Sequence, residues 1–181
     1  MGETDGVDVA AITAAVEAGT DEIAVPAPLL DETVEAPQEM ARGLHALIAV
    51  MKVPEKIKLA LRGNKDARQI LIRDNNTVIR RLVLQNPRLS DNEVLAMTHN
   101  RTADDELLRA ISERREWMRN YQVRLGLASN PKTPIAVALK QLSALGERDI
   151  RALAKSRNVS QAVAVQARRI LAARNPGGGS V

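Results

Sequence analysis

Trp117 and Tyr121 are the only aromatic side chains among the 181 residues, and they stand four apart in Glu116-Trp117-Met118-Arg119-Asn120-Tyr121. On a continuous helix that spacing puts both rings on one face, with Arg119 and Arg124 beside them. Trp, Tyr and Arg are the side chains that most often dominate an interface, so these four residues are an expected anchor for a protein partner. Packing between helices is the plainer use of the same rings. With only two rings, the chain has almost nothing for binding single strands by stacking bases.

Catalytic chemistry finds few parts. The chain has no Cys, which excludes thiol nucleophiles, disulfides and Cys-ligated metals. His45 and His99 are far apart in sequence and neither has a catalytic companion nearby. Asp104, Asp105 and Glu106 follow Thr102 and read as the acidic first turn of a helix, where the positive end of the macrodipole favours them. Gly177 to Gly179 is not followed by the Gly-Lys-Ser/Thr of a phosphate loop. The expectation is a non-enzyme without metal or cofactor.

Charge divides the chain. Residues 1–40 carry ten acids and no Lys or Arg, a charge of −10, while residues 41–181 carry 26 cations against 12 acids, a charge of +14. With Pro26, Pro28 and Pro37 and few large apolar residues, the acidic segment buries too little to offset its ordering entropy. It reads as a disordered tail, with Val7 to Ala18 either a mobile Ala-rich stretch or a short motif that folds on a partner. Residues 174–181 read as a second disordered tail. No basic segment followed by an apolar run marks a secretory signal, and no stretch nears the roughly 20 apolar residues of a membrane span. A cytoplasmic protein is expected. The apolar stretch Ala46 to Met51 reads as one buried helix.

Residues 41–173 must supply the scaffold, and their pattern is helical. Apolar residues recur at three and four, as in Ile57, Ala60, Leu61 and in Val78, Ile79, Leu82, Val83, with no sustained two-residue alternation. Pro54, Ser90 with Glu93, Thr102, Thr133 before Pro134, and Ser160 mark helix starts. Gly63-Asn64, Asn86-Pro87, Asn130-Pro131, Gly146 and Asn158 mark stops. The spacing predicts an all-α fold of eight to ten short antiparallel helices.

An internal similarity runs through these helices. Ile79-Arg80-x-Leu82-x-x-x-Asn86-Pro87 and Val123-Arg124-x-Gly126-x-x-x-Asn130-Pro131 match at an offset of 44, and Ile57-Lys58-x-Ala60-x-x-x-Asn64 precedes the first by 22. Ile150-Arg151-x-Leu153 and Leu108-Arg109-x-Ile111 are looser copies. Repeats of this length stack on their neighbours into a solenoid. If the copies superpose, Lys58, Arg80, Arg109, Arg124 and Arg151 form a basic row. Such a row suits an acidic protein partner, nucleic acid phosphates, or the acidic tail of the same chain folding back; solvated positions beside an apolar stripe are the plainer account.

On VIRRLVLQNPRLSDNEVLAM (78–97) and YQVRLGLASNPKTPIAVAL (121–139), the chain resembles the leucine-rich repeat variant and HEAT-like helical repeat families over about residues 55–173. It is also similar to a group of bacterial proteins that carry EKIKLAL and REWMRNYQV, from which no activity carries over. The HEAT-like resemblance implies an α-solenoid acting as a protein interaction module or scaffold. Its remotest extension is the HEAT-like alkyl-purine DNA glycosylases, whose Trp and Arg on a basic face Trp117 and Arg119 resemble; the matching Asp is missing. The alternative to a protein partner is nucleic acid bound through phosphates. The last helix, with Arg168, Arg169 and Arg174, has the basic amphipathic pattern of a phosphate- or membrane-contacting helix, or of a terminal repeat's polar cap.

Overall fold

The structure, a computed structural model, describes residues 6–33 and 38–174, the side chains of 38–42 excepted. Every regular element among these residues is helical, and none is a strand. In order they are α1 (Val9–Ala18), a 3-10 turn (Ala27–Leu29), α2 (Gln38–Ala49), α3 (Val53–Arg62), α4 (Lys65–Leu71), α5 (Thr77–Val83), α6 (Asp91–His99), α7 (Asp105–Glu113), α8 (Arg115–Met118), α9 (Tyr121–Ser129), α10 (Ile135–Leu142), α11 (Glu147–Lys155) and α12 (Gln161–Arg174). No described helix is long and apolar enough to cross a membrane. The chain forms two compact units, Met1–Leu89 and Ser90–Val181.

In the first unit α3 is the central element. It packs against α1, α4 and α5, and α2 lies on α4. Pro54 occupies its first turn, where no N–H partner is lost, and Glu55 turns back to accept from the Lys52 N–H at 2.7 Å. Ile57, Leu59, Ala60 and Leu61 are all buried, so two faces of this ten-residue helix are covered at once. Ile79, Leu82 and Val83 of α5 and Leu71 of α4 complete the core.

In the second unit α6 packs on α7 and α9, α9 on α10, and α10 and α11 on α12. Its core gathers Leu142, Leu145, Ile150, Leu153, Val163 and Ala167, with Leu125 and Ile170 at the edge. Gly126 is required by space: a Cβ there would lie 2.2 Å from Thr98 Oγ1 and 2.8 Å from Thr98 Cβ. Residue 126 must be small for α6 and α9 to touch.

The three repeated asparagines make one and the same contact. Asn64, Asn86 and Asn130 are each at least 94% buried. The Asn86 amide donates to Ala60 O at 3.0 Å and Gly63 O at 3.2 Å, while its Oδ1 accepts from the Arg88 N–H. The Asn130 amide donates to Thr98 O and Asn100 O, both at 2.8 Å, and its Oδ1 accepts from the Lys132 N–H. Asn64 donates to Pro28 O at 3.0 Å and Asp31 O at 3.1 Å and caps α4 through the Ala67 N–H. Each Asn ties its own turn to carbonyls some 23 to 36 residues earlier.

Several sequence expectations are corrected. Twelve α-helices, rather than eight to ten, are present among the described residues, because α1 lies inside the acidic segment and α8 is a single turn. Residues 6–33 of that segment, expected to be a disordered tail, hold α1 and a 3-10 turn; 1–5, 34–37 and the tail from 175 lie outside the described residues. The stretch from Ala46 to Met51 is not a buried helix: Ile48 is covered, while Leu47 and Val50 are 41% and 82% exposed. The cap of α7 is Asp104, accepting from the Glu106 N–H, and not Thr102. Thr133 does not cap α10; its buried hydroxyl has no hydrogen-bond partner. Gly146 begins α11 instead of ending a helix. Pro54, the Ser90–Glu93 capping box and Ser160 stand where the sequence puts them.

Candidate interaction surface

The polar chemistry of the first unit concentrates where the acidic arm, residues 6–33, lies on α3 and its neighbours. The arm begins as α1, capped by the Asp8 carboxylate on the Ala11 N–H. α1 ends at Gly19, whose φ of 70° allows the left-handed turn that stops it. Arg62, at the end of α3, donates to Val16 O and Glu17 O at 3.3 and 2.8 Å, supplying a cation to the carbonyl end of α1. Val16, 2% exposed, is the apolar contact at this end.

After Gly19 the chain runs largely without regular structure, and side chains of the helices hold it. The Lys58 ammonium bonds the Asp21 carboxylate at 2.6 Å and Ile23 O at 2.7 Å. Both charged side chains are mostly covered. This Lys58 bond, aided by the Ile23 N–H, holds the Asp21 carboxyl below its ordinary pKa. Leu29, 1% exposed, is the apolar anchor, and its carbonyl accepts from the Asn64 N–H at 2.7 Å. Arg88 donates to Leu30 O at 2.8 Å. Asp31 takes the Thr33 hydroxyl and N–H, which with nearby Arg88 hold its carboxyl below the usual value. The arm's last contact is a fork: Arg68, 1% exposed, places its two terminal nitrogens 3.2 and 2.8 Å from the two oxygens of Glu32, and it also donates to Gly63 O.

The residues expected to bind a partner are placed differently. Trp117 and Tyr121 do not share a helix, because α8 ends at Met118 and Asn120 caps α9 through the Gln122 N–H. Trp117 is 7% exposed with the Arg114 guanidinium over its ring, so it has little open surface to offer a groove or a flipped base. Tyr121 is half-buried; Arg124 lies over its ring, and its hydroxyl donates to Asp149 and accepts from the Gly146 N–H. The Asp149 carboxylate raises the Tyr121 pKa and keeps the phenol protonated. Arg119 is exposed.

The members of the expected basic row have unlike surroundings. In the first unit Lys58 is joined to Asp21, and Arg80 donates to Asp74 O. In the second, Arg109 is exposed, Arg124 stacks on Tyr121, and Arg151 pairs with Glu147 one turn away. Around Arg151, the outer face of α11 presents Arg148, Ala152 and Lys155 about an open depression of about 460 Å³. His45 is exposed on α2, and His99 sits in the last turn of α6. Among the described residues no cluster of His, Asp or Glu is arranged to hold a metal ion.

Sequence reading missed Arg62, Asn64, Arg68 and Arg88 as arm-holding residues. Only Asn64 left a signal, as the first of the repeated asparagines. Compared with family models, curated proteins and solved structures, the chain matches none.

Proposed function

We propose that the chain is a non-catalytic interaction module or scaffold, in which helical surfaces receive an acidic protein partner and the acidic arm masks part of the basic surface. The observation that carries this reading is the hold on residues 21–32: side chains of α3, α4 and the segment after α5 grip an irregular stretch of chain by its carbonyls and two carboxylates. Carbonyl contacts tolerate many sequences, and carboxylate contacts select for acid, the division of labour used by peptide-binding surfaces. The reading carries with it a cytoplasmic setting and helices that stack as HEAT-like or leucine-rich repeat variant repeats. The matching contacts of Asn64, Asn86 and Asn130 support the repeats.

The second reading is nucleic acid bound through phosphates, favoured by α11 and α12. Residues 147–174 carry seven cations and two acids, and Arg148, Arg151 and Lys155 share one exposed helix face. Titration of the full chain with a labelled duplex and with a labelled acidic peptide, each at 50 and 200 mM salt, separates the two. The interaction-module reading expects peptide binding that survives the higher salt. Duplex binding alone, falling steeply with salt, overturns it.

A further inference from the structure

We propose that α3, the start of α4 and the segment after α5 form a binding site for an extended acidic peptide, and that residues 21–32 are its occupant in cis. This deepens the interaction-module reading and rests on it. The partner is a protein segment with a buried Leu, flanked by two carboxylates and spaced by prolines, as in Asp21-Glu22-Ile23-Ala24-Val25-Pro26-Ala27-Pro28-Leu29-Leu30-Asp31-Glu32.

Three observations carry the proposal. The first is the nature of the contacts. Four carbonyls of the arm, those of Ile23, Pro28, Leu30 and Asp31, accept from Lys58, Asn64 or Arg88 side chains, and a fifth, Leu29 O, accepts from the Asn64 backbone. An irregular peptide offers such acceptors whichever chain it belongs to.

The second is the comparison among the asparagines. Asn86 and Asn130 reach carbonyls at the ends of preceding helices, Ala60 and Gly63 in one case and Thr98 and Asn100 in the other. Asn64 makes the same pair of bonds to Pro28 and Asp31, in a stretch whose only regular element is a three-residue 3-10 turn. At this position of the repeat pattern, a strip of chain takes the place of a helix end.

The third is charge and shape. Lys58 and Arg68 meet carboxylates eleven residues apart, and between them Leu29 is inserted to 1% exposure. Pro26 and Pro28 restrict the free peptide, which lowers the entropy lost on docking. With residues 21–32 lifted away, Lys58, Asn64, Arg68 and Arg88 would lose the partners they hold there, around the apolar seat of Leu29. That combination fits an acidic, Leu-anchored segment and ill suits a cationic one.

The probe is a fluorescein-labelled peptide of residues 19–33, followed by anisotropy against the full wild-type chain and the full chain carrying Asp21→Asn and Glu32→Gln. The weakened arm of the variant should yield its seat, so the variant binds the peptide at least tenfold more tightly than the wild type. Adding Lys58→Ala should reverse most of that gain. Equal affinity of the two folded chains, or no binding to either, overturns the proposal. If far-UV circular dichroism shows that the double variant does not fold, hydrogen exchange of the wild-type chain decides. Leu29 and Leu30 amides that exchange well before those of Leu59 to Leu61 support a displaceable arm, and exchange in step with them overturns it. Equal peptide binding by the two chains removes the site and leaves the interaction-module reading standing, whereas duplex binding without peptide binding removes both.

Discussion

Asn130 shows how much one side chain can hold in this protein. Its amide satisfies two carbonyls and its oxygen one N–H, and it is 6% exposed. Asn130→Ala removes all three bonds and leaves the Thr98 carbonyl without this donor, at a cost of about 1–3 kcal/mol. Urea unfolding followed by Trp117 fluorescence should show that loss, whereas Lys132→Ala at the exposed neighbouring position should lie within about 0.5 kcal/mol of wild type. Acidity acts at the same scale. The Lys58 ammonium lowers the Asp21 pKa in the docked arm, so the free arm binds more protons than the docked one. The Asp21 contribution is therefore complete above the free carboxylate value of about 3.9 and is lost as the pH falls below it toward the docked value. Acidification from pH 6 to 3 should loosen the arm, read as faster exchange of the Leu29 and Leu30 amides after correction for intrinsic rates. In Asp21→Asn that dependence should be flatter and the docking weaker already at pH 6.

At the scale of elements, local signals were legible and distant ones were not. Pro54, Ser90 with Glu93, and the first-turn acids Asp105 and Glu106 act within one helical turn, so their roles are legible locally. The sequence reading of residues 6–33 weighed the segment's own apolar content and omitted its partners. Those partners, Lys58, Arg62, Asn64, Arg68 and Arg88, lie 33 to 58 residues further on in the pairs that hold the arm. The shared face of Trp117 and Tyr121 failed for a local reason: Asn120 is a strong N-cap residue and starts a new helix between the two rings. The repeated asparagines were visible as a pattern, but that they bind earlier carbonyls was not. The meeting of α6 and α9 gives a further prediction. Gly126→Ala forces a methyl against the Thr98 side chain and should cost about 1–3 kcal/mol, measured by thermal unfolding. The neighbouring Ser129→Ala, whose hydroxyl bonds only its own helix at Leu125 O, should cost far less.

Across the whole molecule, the −10 and +14 of the sequence are redistributed by the fold. Residues 1–89 hold 13 acids and 11 cations, so the arm brings the first unit near neutrality, while residues 90–181 hold 15 cations against 9 acids. The excess positive charge thus belongs to the second unit, largely to α11 and α12. In the first unit Lys58, Arg62, Arg68 and Arg88 hold the arm, while on α11 Arg148 and Lys155 are exposed and Arg151 pairs with Glu147.

Docking of the acidic arm on α3 in solution can be measured directly. Since the chain has no cysteine, Ala24→Cys accepts a single spin label beside Ile23, whose carbonyl meets Lys58. Paramagnetic broadening of amide resonances should then be strong around Lys58 in α3, and should fade when Asp21→Asn and Glu32→Gln are added. Broadening confined to the arm's own neighbours in sequence, with α3 untouched, would contradict the docked arm and the masked surface built on it.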